Sequence, residues 1–138
     1  MTNNASKNAS VPFKLDPESE FANQPNLVQI TAELNDKVSR LLYAIVVPTL
    51  FKRAVKDTLS KFDVLSYHVG ELWYQMGHAH LGESISAFDC SYVEKESLRC
   101  AFLIKSLPFI DRNDQNEIVA ELEKIANVAK EVNRSIKK

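Results

Sequence analysis

The stretch FKRAVKDTLSKFDVLSYHVGELWYQMG, residues 51–77, decides the fold of this 138-residue chain. Its large apolar residues recur at steps of three and four, the spacing of one face of an α-helix. The stripe keeps its phase across Gly70, and a single glycine costs a helix only about 1 kcal/mol. Two helices broken near Asp63 or Gly70 are the alternative, but the unbroken phase favours one long helix that ends near Gly77. The stripe consists of Phe51, Val55, Leu59, Phe62, Leu65, Val69, Leu72 and Met76.

A second apolar stripe precedes this helix. It runs from Leu27 to Ile45 and predicts a helix over residues 27–47, with Asn26 as its N-cap. Pro48 follows, and proline cannot continue a helix without losing a hydrogen bond. Residues 1–25 are rich in Asn, Ser, Pro and Lys and have no apolar period. We expect a disordered tail over 1–25, because such a composition buries too little surface to offset the entropy of ordering.

Two more helices are expected after the long one. The sequence Ser91-Tyr92-Val93-Glu94 matches a capping box, so a third helix is predicted to start there and to end at Pro108. A second candidate capping box, Asp114-Gln115-Asn116-Glu117, precedes a final stripe that ends at Ile136. Four amphipathic helices with short connections predict an all-α, antiparallel up-down four-helix bundle over residues 26–138.

Composition limits the function classes. The net charge is −1, so no global field steers the chain toward nucleic acid. The longest wholly apolar stretch, residues 44–48, is far too short to span a bilayer, and the first residues lack the apolar core of a secretory signal. Cys90 and Cys100 have no metal-binding spacing. We therefore expect a cytoplasmic protein without a membrane segment or a cofactor.

Basic residues gather on both sides of Pro48. A patch of this size binds phosphates with an affinity that depends on salt and not on sequence. The alternative is that these residues are the solvated faces of two helices. The candidate nucleic-acid-binding residues are Lys37, Arg40, Lys52, Arg53, Lys56 and Lys61.

The three histidines offer a weak metal hypothesis. His78 and His80 form an HxH pair near the predicted helix end, but zinc needs three or four ligands. His68 lies about 15 Å back along the helix, so a third ligand would have to come from a carboxylate such as Glu83 or Asp89, or from a partner chain. Two solvated histidines are the simpler interpretation. The sequence has no nucleophile motif and no phosphate-binding glycine loop, so we expect no enzymatic activity.

The sequence contains more large apolar residues than one core can bury. Trp73 and Tyr74 adjoin Leu72 and cannot all face the same core, and the third helix is apolar on nearly every side. Such helices are either the most buried member of a bundle or part of an oligomer interface. We therefore predict a homo-oligomer. Its candidate interface residues are Trp73, Tyr74, Phe102 and Leu103.

The order of these features resembles a known family. A first helix that ends at a proline, a long second helix, the run SLRCAFL at 97–103, a polar turn and the helix IVAELEKIANVAKEV carry the resemblance over residues 38–136. The family includes the 23S rRNA intervening-sequence proteins and the accessory variability determinant of diversity-generating retroelements. The resemblance implies a ring-shaped pentamer, with a reverse transcriptase and structured RNA as partners.

The resulting hypothesis is a non-enzymatic, oligomeric helical interaction or scaffold module that serves a protein or ribonucleoprotein partner. A small regulator of the antitoxin, immunity-protein or chaperone type, which binds one protein, is the first alternative. A metal-dependent protein that uses His78 and His80 is the second.

Overall fold

The computed structural model of the chain describes residues 26–77 and 85–136, so the tail predicted over 1–25 lies outside the described residues. Within these ranges the backbone forms four α-helices, one 3-10 turn over Thr49–Phe51 and no β-strand. The all-α class predicted from the sequence is confirmed. The helices are α1 (Leu27–Ala44), α2 (Lys52–Gly77), α3 (Ala87–Lys105) and α4 (Arg112–Ile136).

Each helix packs against the helices that neighbour it in sequence, and α1 also touches α4. The most extensive contact is between α3 and α4, and the least extensive between two helices that touch is between α1 and α4. Contacts between α2 and α3 join Lys61 to Glu96, and Gln75 to Ser86 just before α3. Residue numbers therefore rise along α2 as they fall along α3, so these two helices run in opposite directions.

One apolar core joins all four helices. The stripe that opened the sequence analysis supplies the α2 contribution, and Phe62, Leu65 and Leu72 have no measurable exposure. Burial of each such side chain contributes about 1.5–3 kcal/mol to folding. The other helices contribute Leu27, Val38 and Leu42 from α1, Val93, Cys100 and Ile104 from α3, and Ile118, Leu122 and Ile125 from α4.

The long helix is continuous, as predicted. Gly70 lies within α2, and apart from its chain neighbours and the backbone of the helix itself nothing lies within 4 Å of the position that a β-carbon would occupy there. A glycine in such a place only weakens the helix slightly, because no bend or close backbone approach depends on it. The helix ends at Gly77, also as predicted.

The first helix starts where predicted but ends early. The Asn26 side chain accepts a hydrogen bond from the Val28 amide at 2.8 Å, which is the expected N-cap. The predicted end near residue 47 is wrong, because α1 ends at Ala44 and Ile45 is extended. Pro48 explains the difference in part, since proline also disfavours a helical conformation in the residue before it.

The third helix begins four residues before the predicted capping box. Its N-cap is Ser86, whose Oγ accepts from the Asp89 amide at 3.2 Å, so the predicted start at Ser91 is wrong. Gln75 of α2 explains the shift. Its Oε1 accepts from the Ser86 amide at 2.8 Å, and its Nε2 donates to the Asp89 carboxylate at 2.7 Å.

The fourth helix also starts earlier than predicted. The Asp111 carboxylate accepts from the Asn113 amide at 3.0 Å and caps a helix that begins at Arg112. The predicted cap at Asp114 is therefore wrong, because Asp114 lies inside the first turn. The Gln115 Nε2 donates to the carbonyl oxygens of Ile104 and Leu107, both at 3.0 Å. These two bonds tie the start of α4 to the end of α3.

Candidate interaction surface

Three of the six predicted nucleic-acid-binding cations are ion-paired within the chain. Lys37 contacts Glu117 and lies 3.9 Å from Asp114 of α4. Arg40 pairs with Asp36, four residues earlier on α1, at 3.0 Å, and Lys61 lies 3.9 Å from Glu96 of α3. Lys37 and Lys61 therefore face different neighbouring helices, and each partner offsets charge that would otherwise attract phosphate.

The other three cations lie at the start of α2. Lys52, Arg53 and Lys56 are exposed, and none forms an ion pair within the described residues. The first turn of α2 carries no acidic residue. Cations at a helix N-terminus oppose the helix dipole, so this arrangement costs stability instead of adding to it. A departure of this kind from local rules is typical of a surface that serves a function.

Apolar side chains are exposed at the same end of the molecule. Val46 is 95% exposed and Leu50 is 84% exposed, in the connection between α1 and α2. The rings of Phe51 and Phe109 lie 5.5 Å apart, so this connection lies beside the connection between α3 and α4. We call these exposed side chains the apolar end: Tyr43, Val46, Leu50 and Phe102. Large apolar side chains that stay exposed side by side mark a candidate contact surface.

The four predicted interface residues occupy two kinds of position. Tyr74 and Phe102 are exposed, at 54% and 69%. Trp73 is partly buried and packs against the core, and Leu103 is also partly buried. The structure thus places Tyr74 on the outer face of α2 and Phe102 within the apolar end, at separate sites.

His68 belongs to a network between α2 and α3. Its Nδ1 lies 3.5 Å from the Asp89 carboxylate, and its ring lies 4.1 Å from the ring of Tyr92. The same carboxylate accepts from Gln75, which fixes the start of α3. The His68 side chain is itself half-buried between the two helices. The network positions two helices, and we assign it no chemistry.

The predicted HxH pair, His78 and His80, lies outside the described residues. Among residues 26–77 and 85–136, no group of three or more His, Cys, Asp or Glu side chains is arranged to hold a metal ion. No helix in these ranges is long and apolar enough to cross a membrane.

The structure places a carboxylate of α3 in a buried position that no sequence pattern indicates. Glu96 is 8% exposed and lies 3.9 Å from Lys61 and 4.0 Å from Arg99. Burial, followed by the charge of Glu96, raises the pKa of the Cys100 thiol to about 12. That thiol stays protonated at neutral pH, which makes it a poor nucleophile and a poor metal ligand.

An open groove of about 520 Å³ separates α1 from α4. Ile30, Leu34 and Ile118 supply its apolar lining. The two cations that line it, Lys37 and Lys124, are each ion-paired with a glutamate, at positions 117 and 121. The groove reflects the sparse contact between α1 and α4, and its charged side chains already have partners.

Neither the protein-family models nor the curated proteins nor the solved structures contain a match to this chain. The candidate surface therefore rests on the residues themselves, that is, on the apolar end and on the three adjoining cations of α2.

Proposed function

We propose that the chain is a non-enzymatic helical interaction module that self-associates and serves as a scaffold for a protein or ribonucleoprotein partner. The exposed aliphatic side chains of the apolar end carry this proposal, because they sit beside three cations whose placement costs stability. The partner that fits this surface presents apolar anchors among acidic groups, complementary to Leu50 and to Lys52 and Arg53.

The antiparallel up-down arrangement of all four helices belongs to the same proposal. The opposed course of α2 and α3 and the contacts between sequential helices support it. The resemblance to the intervening-sequence family, with its ring-shaped assembly and its retroelement partners, stays a prediction, as does cytoplasmic localisation.

Assembly is tested first on the purified protein at low salt. Size-exclusion chromatography with light scattering, recorded at 260 and 280 nm, measures the mass and reveals any bound nucleic acid together. A mass that is a multiple of the 15.6 kDa chain supports self-association. A single-chain mass at every concentration would contradict it. The family resemblance implies about five chains, which light scattering separates clearly from two.

Leu50 tests the docking surface. A photo-crosslinking amino acid at position 50 captures the partner in cells, and the captured protein is then purified and titrated with the chain. We expect Leu50→Asp to weaken that binding by about tenfold or more, because a charge replaces an apolar anchor. The free energy of unfolding should change by less than about 0.5 kcal/mol, since the side chain is 84% exposed.

The matched control for this experiment is Val28→Asp. Val28 is 37% exposed and lies at the opposite end of α1 from Tyr43. It should leave the affinity unchanged. Equal affinity of the wild type and Leu50→Asp would remove the apolar end from the docking surface.

Nucleic-acid binding is the second candidate function, because Lys52, Arg53 and Lys56 are exposed and unpaired within the described residues. We expect Lys52→Glu with Arg53→Glu to weaken binding of a labelled single-stranded RNA by about tenfold at low salt. The difference should shrink as salt rises, because the lost contacts are with phosphates. Fluorescence anisotropy across a salt series measures both effects.

The control for the RNA experiment replaces two lysines of α4, Lys124 and Lys130, by glutamate. Its net charge then equals that of the test variant. Equal loss in both variants would mean that only net charge matters. Unchanged RNA binding after the reversal of Lys52 and Arg53 would leave the small protein-binding regulator as the alternative.

A further inference from the structure

The face of α2 opposite the core carries a second stripe at helical spacing. Its members follow one another at steps of three and four, and all are exposed. Val64 is 40% exposed and Tyr67 is 64% exposed, in a helix whose other face packs into the core. Exposed apolar and aromatic side chains on one helix face, flanked by charged ones, mark a candidate surface for another helix. We call it the outer stripe: Arg53, Lys56, Ser60, Val64, Tyr67, Glu71 and Tyr74.

The outer stripe has opposite character at its two ends. Its first half carries Arg53 and Lys56, and its second half carries Glu71 with the two tyrosines. Lys56 and Glu71 are about 22 Å apart along the helix, so they cannot pair within one chain. Neither forms an ion pair with any other described residue. The charges run against the dipole of the isolated helix.

The stripe is also symmetric about its middle. Six of its seven members form three pairs whose positions are equally far from the point between residues 63 and 64, and Val64 lies next to that point. When two copies of α2 lie antiparallel about that point, each residue of a pair faces its counterpart in the other copy. The pairs are Lys56 with Glu71, Arg53 with Tyr74, and Ser60 with Tyr67.

We propose that the outer stripe is the self-association surface, and that it binds the outer stripe of a second copy of this chain with the two α2 helices antiparallel. This inference rests on the self-association included in the proposed function and names its surface and symmetry. Each contact then occurs twice across a twofold axis, which closes the assembly at two chains.

The chemistry of each contact is complementary. Lys56 of each copy meets Glu71 of the other, and the Arg53 guanidinium meets the face of Tyr74, a favourable cation–π contact. The two Val64 side chains approach each other at the axis. Antiparallel pairing also places the cations of one helix near the C-terminal, negative end of the other, so the dipole that opposes them in one chain favours them in the pair.

Charge exchange between two variants is the decisive experiment. Wild-type protein at low salt should show twice the 15.6 kDa mass of the chain. Lys56→Glu alone and Glu71→Lys alone each create two like-charge contacts, and each should raise the dissociation constant of the dimer by about tenfold or more. An equimolar mixture of the two variants should restore the dimer, because both contacts then join opposite charges. The double variant should also form a dimer by itself.

Matched controls reverse exposed charges on α4, none of whose Cα atoms lies within 8 Å of a Cα atom of α2 among the described residues. Lys130→Glu and Glu123→Lys change the net charge by the same amounts and should leave the dimer intact. Circular dichroism confirms that every variant is folded.

The outcomes separate the two proposals. A monomeric wild type overturns the self-association of the proposed function and this inference together. If the wild type is an oligomer whose dissociation constant is unchanged by Lys56→Glu and by Glu71→Lys, only the inference is overturned. If each single variant weakens the oligomer but their mixture does not restore it, the antiparallel arrangement is wrong.

Discussion

Replacement of Phe62 by alanine is expected to lower the free energy of unfolding by about 3–5 kcal/mol. Phe62 lies in the middle of α2 with no exposed surface, within a core to which all four helices contribute. The change removes the transfer free energy of the ring and leaves a cavity that the surrounding helices fill only partly. For a domain of this size, such a loss is a large part of the total stability.

Urea denaturation followed by circular dichroism measures this loss. Val28→Ala is the control, because Val28 is 37% exposed on α1 and its truncation should cost less than about 0.5 kcal/mol. A loss below about 1 kcal/mol for Phe62→Ala would mean that α2 does not pack through the stripe that defines it, and the fold would have to be reconsidered.

The helices of this chain are readable from its sequence because each depends on local period. The buried residues of α2 fall on one face at steps of three and four, and that pattern survives Gly70 and ends at Gly77. No contact with another helix is needed to recognise it. The same holds for the Asn26 cap, because Asn26 accepts its hydrogen bond from an amide only two residues further along the chain.

Helix starts that depend on another helix were not predictable in the same way. Ser86 becomes the N-cap of α3 while Gln75, eleven residues earlier on α2, holds the Ser86 amide and the Asp89 carboxylate. The capping box at Ser91 was the stronger local signal, and this tertiary contact outweighed it. Local rules favour a cap, but packing decides which of two candidates is used.

The candidate surface was predictable only in part, for a similar reason. The number of cations near Pro48 can be counted in the sequence. The pairing of Lys37 with Glu117 cannot be inferred from it, because these residues are 80 positions apart. The exposure of Val46 and Leu50 depends on where α1 stops. By contrast, the residues of the outer stripe of α2 recur in the sequence at helical spacing. Recognising it requires knowing which face of α2 the core covers.

Alkaline pH is expected to destabilise the protein through Cys100. Burial, and then the charge of Glu96, raises the pKa of the thiol from 9.0 to about 12 in the folded chain. Above pH 9 the unfolded chain loses a proton that the folded chain keeps, so the free energy of unfolding falls as pH rises. The loss of unfolding free energy from Cys100 reaches about 1.4 kcal/mol at pH 10 and grows no further once the pH is above the pKa of the folded chain.

The test compares the wild type with Cys100→Ala from pH 8 to pH 10, because lysines and tyrosines titrate equally in both. The alanine variant should be less stable at pH 8, where a buried thiol is lost, and should show the smaller decline with pH. Alkylation gives a second measure in a Cys90→Ala background. At pH 8 the thiolate fraction of Cys100 should be roughly a thousandfold lower in the folded chain than in urea, with iodoacetamide reacting correspondingly slowly. Parallel pH profiles for the two proteins, or rapid alkylation of the folded chain, would show that Glu96 and the core do not hold the proton on Cys100.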